Sequence, residues 1–473
     1  MAHRKLFIDD EVDFYDLRGL TKVLNRPVKH PDNPLIVCEH PWEALSAQVY
    51  GTVIFDEDDR LFKMWYLACP DRREPHELVV NGNRFKGNAN AYAVSEDGIH
   101  WQKPDLGLVS FDGSTANNLL PMGRNGTEGI GVIKDDLETD RERRFKAIWW
   151  DHDPDSIRVD ETGMAITCGP EDGLYVGWSA DGIHWQEHAG NPVISCFTDT
   201  GQQLVRDPRR GIYVAFGRLG EGGRLIERSE SRDFLHWTGP QMVFRPDDMD
   251  RLGTQFYGMG VSLYEGLYLG MPWVLAQRIA DTRGLGNDCR IHAQLASSRD
   301  GVDWRRVGGR QPFLPNGDVG AWDAGIIYTA TAPVVLEDRV LIYYYGSSWP
   351  HEPGGRPDMP RGIGVATLRR DGFVSLDAGD DEGNFGTVPF TAGEGQEIHL
   401  NLDATHGRAY ARLCDSQRCE PLPGLEPSDP IHGDHLDTTI RWSKGQMQAL
   451  AGEKVAARVY AQRAKFYSYW FTA

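Results

Sequence analysis

No eighteen apolar residues occur in a row anywhere in this sequence, so no segment suits a bilayer-crossing helix. The N-terminus turns acidic at Asp9 and Asp10 without the apolar run of a signal peptide, and the expected location is the cytoplasm. Basic residues are outnumbered, 50 against 69 acidic ones, leaving a formal charge of −19. Such a chain repels a phosphate backbone or an anionic bilayer, so neither nucleic acid nor membrane is an expected partner. The excess acid itself reads as a solvated surface. Cysteines are few, seven and scattered; Cys414 and Cys419, the closest pair, lack the second pair that a zinc site requires. There is no Cys-x-x-Cys spacing and no glycine loop opening a helix, and neither a metal nor another cofactor is expected.

What the chain does have is length for two cores, with a large and a smaller domain expected from 473 residues. Its 53 glycines, 27 prolines and 10% aromatic content suit many short strands joined by tight turns, an all-β fold.

A repeat organises it. Ser95-Glu96-Asp97-Gly98-Ile99-His100-Trp101 returns as Ser179 to Trp185, Ser231 to Trp237 and Ser298 to Trp304, with a degraded copy at Arg370 to Phe373 that lacks the tryptophan. The intervals of 84, 52, 67 and about 72 residues each accommodate a four-stranded blade with decorated loops, so five copies predict a five-bladed β-propeller over 1–380. Every copy follows an alternating strand. Asp-Gly then forms the hairpin turn, Ser and Asp bond its backbone N–H groups, and the indole packs between sheets. This reading makes Trp101, Trp185, Trp237 and Trp304, and the histidines at 100, 184 and 236, structural.

Each blade also holds a hairpin with a strongly apolar second strand: Thr52 to Tyr66, Gly131 to Trp150, Gln203 to Phe216, Gly260 to Met271 and Ala332 to Tyr345. In a propeller the first strand of such a hairpin lines the channel, and its N-terminal end opens on one rim. From about Asn384 the turn motif stops, and alternating segments at 397–402, 408–413, 439–442, 454–460 and 467–471 predict a C-terminal β-sandwich over 381–473. Its expected role is to buttress the propeller.

The Ser-x-Asp-Gly-x-x-Trp turns, with hairpins ending in Phe62-Lys63-Met64-Trp65-Tyr66 and Val340-Leu341-Ile342-Tyr343-Tyr344-Tyr345, resemble the five-bladed glycoside hydrolase superfamily of families 32, 68 and 43 and their relatives with a C-terminal sandwich. The resemblance implies an active site in the funnel at one end of the channel, where three acidic residues from different blades surround one sugar ring. It implies a glycosidase acting on a furanoside such as a fructoside or arabinoside in a short oligosaccharide, with a small-molecule carbohydrate as its partner. Arg206-Asp207-Pro208 is similar to the family 32 transition-state signature, but it follows the channel-lining strand, so Asp207 reads as a turn residue. Gln48-Val49-Tyr50-Gly51 stands where the family 32 nucleophile segment would be, which departs from invertase-like chemistry.

The acids that precede channel strands are Asp199, Glu43 and Asp323, with Glu128 and Asp250 as weaker candidates. Glycoside hydrolysis needs a proton for the leaving oxygen and a base or nucleophile on the opposite face of the ring. The expected roles are Asp199 as base or nucleophile, Glu43 as acid and Asp323 as stabiliser; a carboxylate capping backbone N–H groups at a strand end is the competing reading of each. Trp42, Tyr50, Tyr257 and Trp322 are rim aromatics suited to stacking on a sugar, and Gln255 and His351 suit hydroxyl groups, His351 because it follows a strand end released through Gly346-Ser347-Ser348.

Two other functions fit the same scaffold. A glycoside phosphorylase would replace the base with bound phosphate and would need Arg, Lys or His clustered at the rim, which Arg206, Arg209 and Arg210, lying in a turn, do not supply. A non-catalytic carbohydrate-binding propeller would bind without turnover. A sialidase, whose aspartate boxes are similar to the turn motif, would need an arginine triad and a sixth blade.

Overall fold

The repeated turns close through their own side chains. In the second copy Ser179 Oγ accepts from the Gly182 N–H at 2.9 Å, Asp181 Oδ1 accepts from the Ile183 and His184 N–H groups at 2.8 Å, and Trp185 Nε1 donates to the Gly182 carbonyl at 3.0 Å. The aspartate bonds recur at Asp97, Asp233 and Asp300. Gly98, Gly182 and Gly301 take left-handed φ values of 78°, 81° and 75°, and Phe234 adopts 71° in the copy that has no glycine, a strained geometry for an L residue. The degraded copy ties distant segments together instead. There buried Asp371 accepts from Tyr264 Oη at 2.5 Å, Ser468 Oγ at 2.6 Å and Arg4 Nη1 at 2.8 Å.

The computed structural model describes residues 4–8, 14–71, 73–85, 87–124, 127–152, 158–159, 165–166, 169–220, 224–276, 289–351, 358–393, 395–442 and 446–472. These are almost entirely β, with a single four-residue α-helix, Gln446–Ala449, among them.

Each turn motif sits within an antiparallel meander. The first contains Ser46–Asp56, Leu61–Cys69 and Ala89–Ser95, with Val94 bridged to Gln102. The second contains Glu128–Lys134, Phe145–Asp151, Gly173–Ser179 and Trp185–Glu187, and the third Gln203–Asp207, Ile212–Gly217, Ile226–Ser231 and Gln241–Phe244. Thr254–Tyr264, Leu267–Ala276, Leu295–Ser298 and Arg305–Val307 follow. Ile326–Thr329, Arg339–Ser347 and Arg361–Arg369 come last, and Val28–Lys29 from the N-terminal region completes their sheet by pairing with Ala366 and Thr367.

The first strands stand side by side in a cycle. Val132 N–H donates to Thr52 Oγ1 at 2.9 Å, Thr200 Oγ1 to the Tyr257 carbonyl at 3.0 Å, and Trp273 Nε1 to Thr329 Oγ1 at 3.0 Å. A Cβ on Gly131 would meet the Gln202 carbonyl at 2.6 Å, so glycine lets the second and third meanders approach there. The Thr52 and Thr331 hydroxyls, 2.7 Å apart, join the last meander to the first. The ring therefore closes on itself, with every first strand starting at the same rim.

Ten further strands form one curled sheet. Glu397–Asp415 pairs with Lys465–Thr472 through its first half and with Lys454–Gln462 through its second, so the two segments expected at 397–402 and 408–413 are one long strand. The strand expected at 439–442 lies earlier, at Ile431–Thr439, where a polar run of His and Asp residues conceals it from a search for apolar alternation. Phe385 and Phe466 lie on strands separated by two others in the sheet order, yet their rings are 5.3 Å apart, which requires the sheet to fold over itself, since neighbouring strands are about 4.8 Å apart. Lys5–Leu6, Phe14–Arg18 and Leu20–Leu24 pair into this sheet, and so does Val374–Ala378. The domain boundary expected at 380 falls inside it.

Candidate active site

At the rim where the first strands begin, the floor is aromatic. Tyr50 lies parallel to Trp273 at 5.6 Å and 4.9 Å from Tyr328; Tyr328 stacks on Tyr257 at 5.3 Å and on Tyr345 at 5.4 Å. Close approach here depends on Gly258, where a Cβ would meet the Trp273 ring at 2.3 Å. Burial, with the neighbouring Tyr257 and Tyr328 hydroxyls, raises the Tyr50 phenol well above its ordinary value, so it stays neutral.

Charge is arranged over this floor. Arg218 follows the strand Ile212–Gly217, is 7% exposed, and forms an ion pair with Asp199, whose side chain is 49% exposed. The guanidinium carbons of Arg218 and Arg224 each lie 5.3 Å from the Tyr257 ring, and Arg224 Nη1 donates to Gln255 Oε1 at 2.7 Å. His351 approaches Tyr257 edge-on, ring centroids 4.7 Å apart, with Nε2 3.2 Å from the phenol oxygen. Burial first, then Arg224 and Arg218, lower its imidazole to about 4, leaving it neutral at pH 7. Burial also lowers the Arg218 guanidinium, and Arg224 adds to that effect.

The expected site residues separate into two groups. Asp199, Tyr50, Gln255, Tyr257 and His351 belong to this assembly. Glu43 and Asp323 are elsewhere. Glu43 is fully buried, with Oε1 accepting from Tyr66 Oη at 2.5 Å and Oε2 paired to Lys103 at 2.8 Å. Asp323 is 2% exposed, with Oδ2 accepting from Lys29 Nζ at 2.5 Å and Tyr344 Oη at 3.1 Å. Their neighbours accompany them: Trp42 donates to Asn118 Oδ1 at 2.9 Å and stacks on His40, and Trp322 stacks on Tyr344 at 5.6 Å. Of the weaker candidates, Asp250 is clamped by Arg306 and Arg310 at 2.6 and 2.9 Å. Glu128 accepts from Asn88 Nδ2 at 2.6 Å, and its neighbour Gly129 lies against Thr200 and Gly201.

The opposite mouth of the ring holds a cavity of about 450 Å³ bounded by Thr52, Lys134, Arg206, Ser262 and Thr331. Asp207 sits at that end in its hairpin turn, accepting from the Arg209 N–H at 3.0 Å and Tyr268 Oη at 2.7 Å, as its position after the channel strand predicts.

Arg218, Arg224, Trp273 and Tyr328 are not among the residues expected from the sequence. Arg218 carries the signal that selects His351, an apolar strand ending in glycine, here Phe216-Gly217-Arg218. Among the described residues no three His, Cys, Asp or Glu side chains gather as a metal group, and no helix is long and apolar enough to cross a membrane.

No protein-family model matches this chain, and no curated protein does. Solved structures do. A glycosyl hydrolase from Bacteroides ovatus is 16% identical, covering 73% of this chain and 94% of its own, at a TM-score of 0.45. An N-acetylgalactosamine deacetylase from F. plautii, in complex with blood group B trisaccharide, is 17% identical over 75% of this chain and 97% of its own, TM-score 0.46. The β-1,2-mannobiose phosphorylase of Listeria innocua is 13% identical over 72% and 96%, TM-score 0.44.

Proposed function

We propose that the ring of meanders is a five-bladed β-propeller and that the chain is a carbohydrate-active enzyme breaking a glycosidic bond in its aromatic-floored funnel. One observation carries this reading: of the three carboxylates expected at the rim, Asp199 alone is open to a ligand, paired with the guanidinium that lies over the Tyr257 ring. Aromatic faces take the apolar face of a sugar ring, and a carboxylate beside them meets the charge that develops at the anomeric carbon.

Asp199, a carboxylate paired with a guanidinium, serves in this reading as base, nucleophile or charge stabiliser. Glu43 is occupied by Lys103, so the acid role passes to Glu128, the carboxyl at the start of the adjoining first strand. Water then attacks the anomeric carbon, giving a proton to the Asp199 carboxylate, as the bond to the leaving oxygen breaks and that oxygen takes the Glu128 proton. The substrate read from the sequence is a short oligosaccharide containing a furanoside such as a fructoside or arabinoside. The curled sheet buttresses the propeller.

Phosphorolysis is the second reading, favoured by Arg218 and Arg224 on one ring. It needs one acid and a bound phosphate whose oxygen attacks the anomeric carbon, giving a glycosyl phosphate and a shortened sugar. The test is turnover of a panel of nitrophenyl glycosides, fructo- and arabino-oligosaccharides, with and without phosphate, by wild type, Asp199→Asn and Glu128→Gln. Turnover reduced at least a hundredfold by Asp199→Asn supports the reading. Turnover indifferent to both substitutions overturns the site, and silence across the panel favours a binding propeller.

A further inference from the structure

We infer that Arg218, Arg224 and His351, gathered on the Tyr257 ring, form an oxyanion subsite, so that the molecule held in the funnel carries a carboxylate or phosphate. This rests on the funnel being the ligand site, and it adds the ligand's charge.

The charge balance carries it. In a chain of net charge −19, two guanidinium groups lie within 5.3 Å of the same ring centroid. Like charges brought together repel unless a counter-charge is supplied. Asp199 supplies one. Arg224 bonds the neutral amide of Gln255 at 2.7 Å, and among the described residues no carboxylate pairs with it. The buried carboxylate nearest to Arg218 along the strand, Glu227, is taken up by the Leu219 and Gly220 N–H groups, so among the described residues Arg224 is left without an ion-paired carboxylate.

The geometry of the donors fits an oxyanion. Guanidinium groups present planar forks that match carboxylate and phosphate oxygens two at a time. His351, neutral beside Tyr257, adds a hydrogen-bonding nitrogen without adding a third positive charge. Arg218 is nine-tenths buried, so an anion meets it in a medium where charge-assisted bonds are stronger than in water. Asp199, half exposed, is the exchangeable partner: a ligand oxyanion competes with it for Arg218.

One chemistry has two sources here. The oxyanion is part of the sugar, as in a uronate, or it is inorganic phosphate brought to the anomeric carbon. Isothermal titration calorimetry at low ionic strength with inorganic phosphate, glucuronate and glucose separates them. At least one anion binds wild type, glucose binds at least tenfold more weakly, Arg224→Gln loses at least tenfold, and Arg224→Lys loses less. Arg210→Gln, at the opposite mouth, binds as wild type. Binding of phosphate alone assigns the subsite to a free acceptor, and binding of glucuronate assigns it to the substrate.

Failure of both anions to bind, or unchanged binding by an Arg224→Gln protein with a native circular dichroism spectrum, overturns the inference. Because binding is read without turnover, an inactive protein that still binds anion sinks only the enzyme reading. Phosphate-independent turnover of neutral glycosides by a protein that binds no anion sinks only the subsite.

Discussion

Lys29 Nζ lies 2.5 Å from Asp323 Oδ2, so the strand that completes the last meander also neutralises the carboxylate that precedes that meander's first strand. The side chains are 26% and 3% exposed, and Tyr344 Oη donates to the same oxygen. Asp323→Asn leaves the ammonium of Lys29 without its counter-charge. Breaking a largely buried pair from one side costs about 2–4 kcal/mol, with the partial exposure of Lys29 keeping it near the lower figure. Chemical denaturation should show that loss. Turnover per folded molecule should change less than tenfold; a loss of several orders of magnitude with unchanged stability would return Asp323 to the reaction.

Glu43 gives the complementary contrast. Its carboxylate is shared between Tyr66 and Lys103 in a fully buried setting. Glu43→Gln keeps the shape and removes the charge that holds Lys103. Stability should fall by about 3 kcal/mol, while Asp199→Asn, at a half-exposed position, should cost under about 1 kcal/mol and most of the turnover. A thermal-shift series run beside the activity assay distinguishes the two carboxylates.

The parts of the molecule legible in sequence are those whose chemistry is local. Ser179, Asp181 and Gly182 bond one another within four residues, so the turn motif, its spacing and the meanders it closes can be read directly. Asp207 reads as a turn residue from its neighbours alone. Lys103 and Lys29 reach Glu43 and Asp323 from 60 and 294 residues away, and no local pattern distinguishes a rim acid held by a distant lysine from one left open. For the same reason the partners of Phe14–Arg18, at Gly383–Thr387, are invisible in the sequence. Arg218 is legible in principle, since the strand-end glycine that selects His351 also precedes it.

The turn aspartates make an acid-sensitive contribution. Burial would raise the Asp181 carboxyl, but the side chain and N–H of His184, the Ile183 N–H and Ser179 together lower it to about 2. A carboxyl depressed in the folded state stabilises above its unfolded value, near pH 4, and loses that contribution as pH falls toward 2. Asp181→Ala should cost about 1–2 kcal/mol at pH 7 through its lost capping bonds. The gap in melting temperature between variant and wild type should narrow by pH 2.5. A constant gap would mean that packing alone sets the cost.

His351 acts in the opposite direction on the pH axis from a paired histidine. Its folded value near 4 lies below the ordinary 6.5 because the ring is buried and faces Arg224 and Arg218. The unfolded chain therefore takes up a proton below pH 6.5 that the folded chain declines until about pH 4. Folding stability should fall across that window by roughly 2–3 kcal/mol. His351→Gln, which keeps a polar side chain at Tyr257 and cannot titrate there, should lack this component. Urea denaturation at pH 7.0, 5.5 and 4.5 measures it: wild type should lose stability relative to the variant at each step, and parallel curves would place the imidazole in contact with water rather than beside the two arginines.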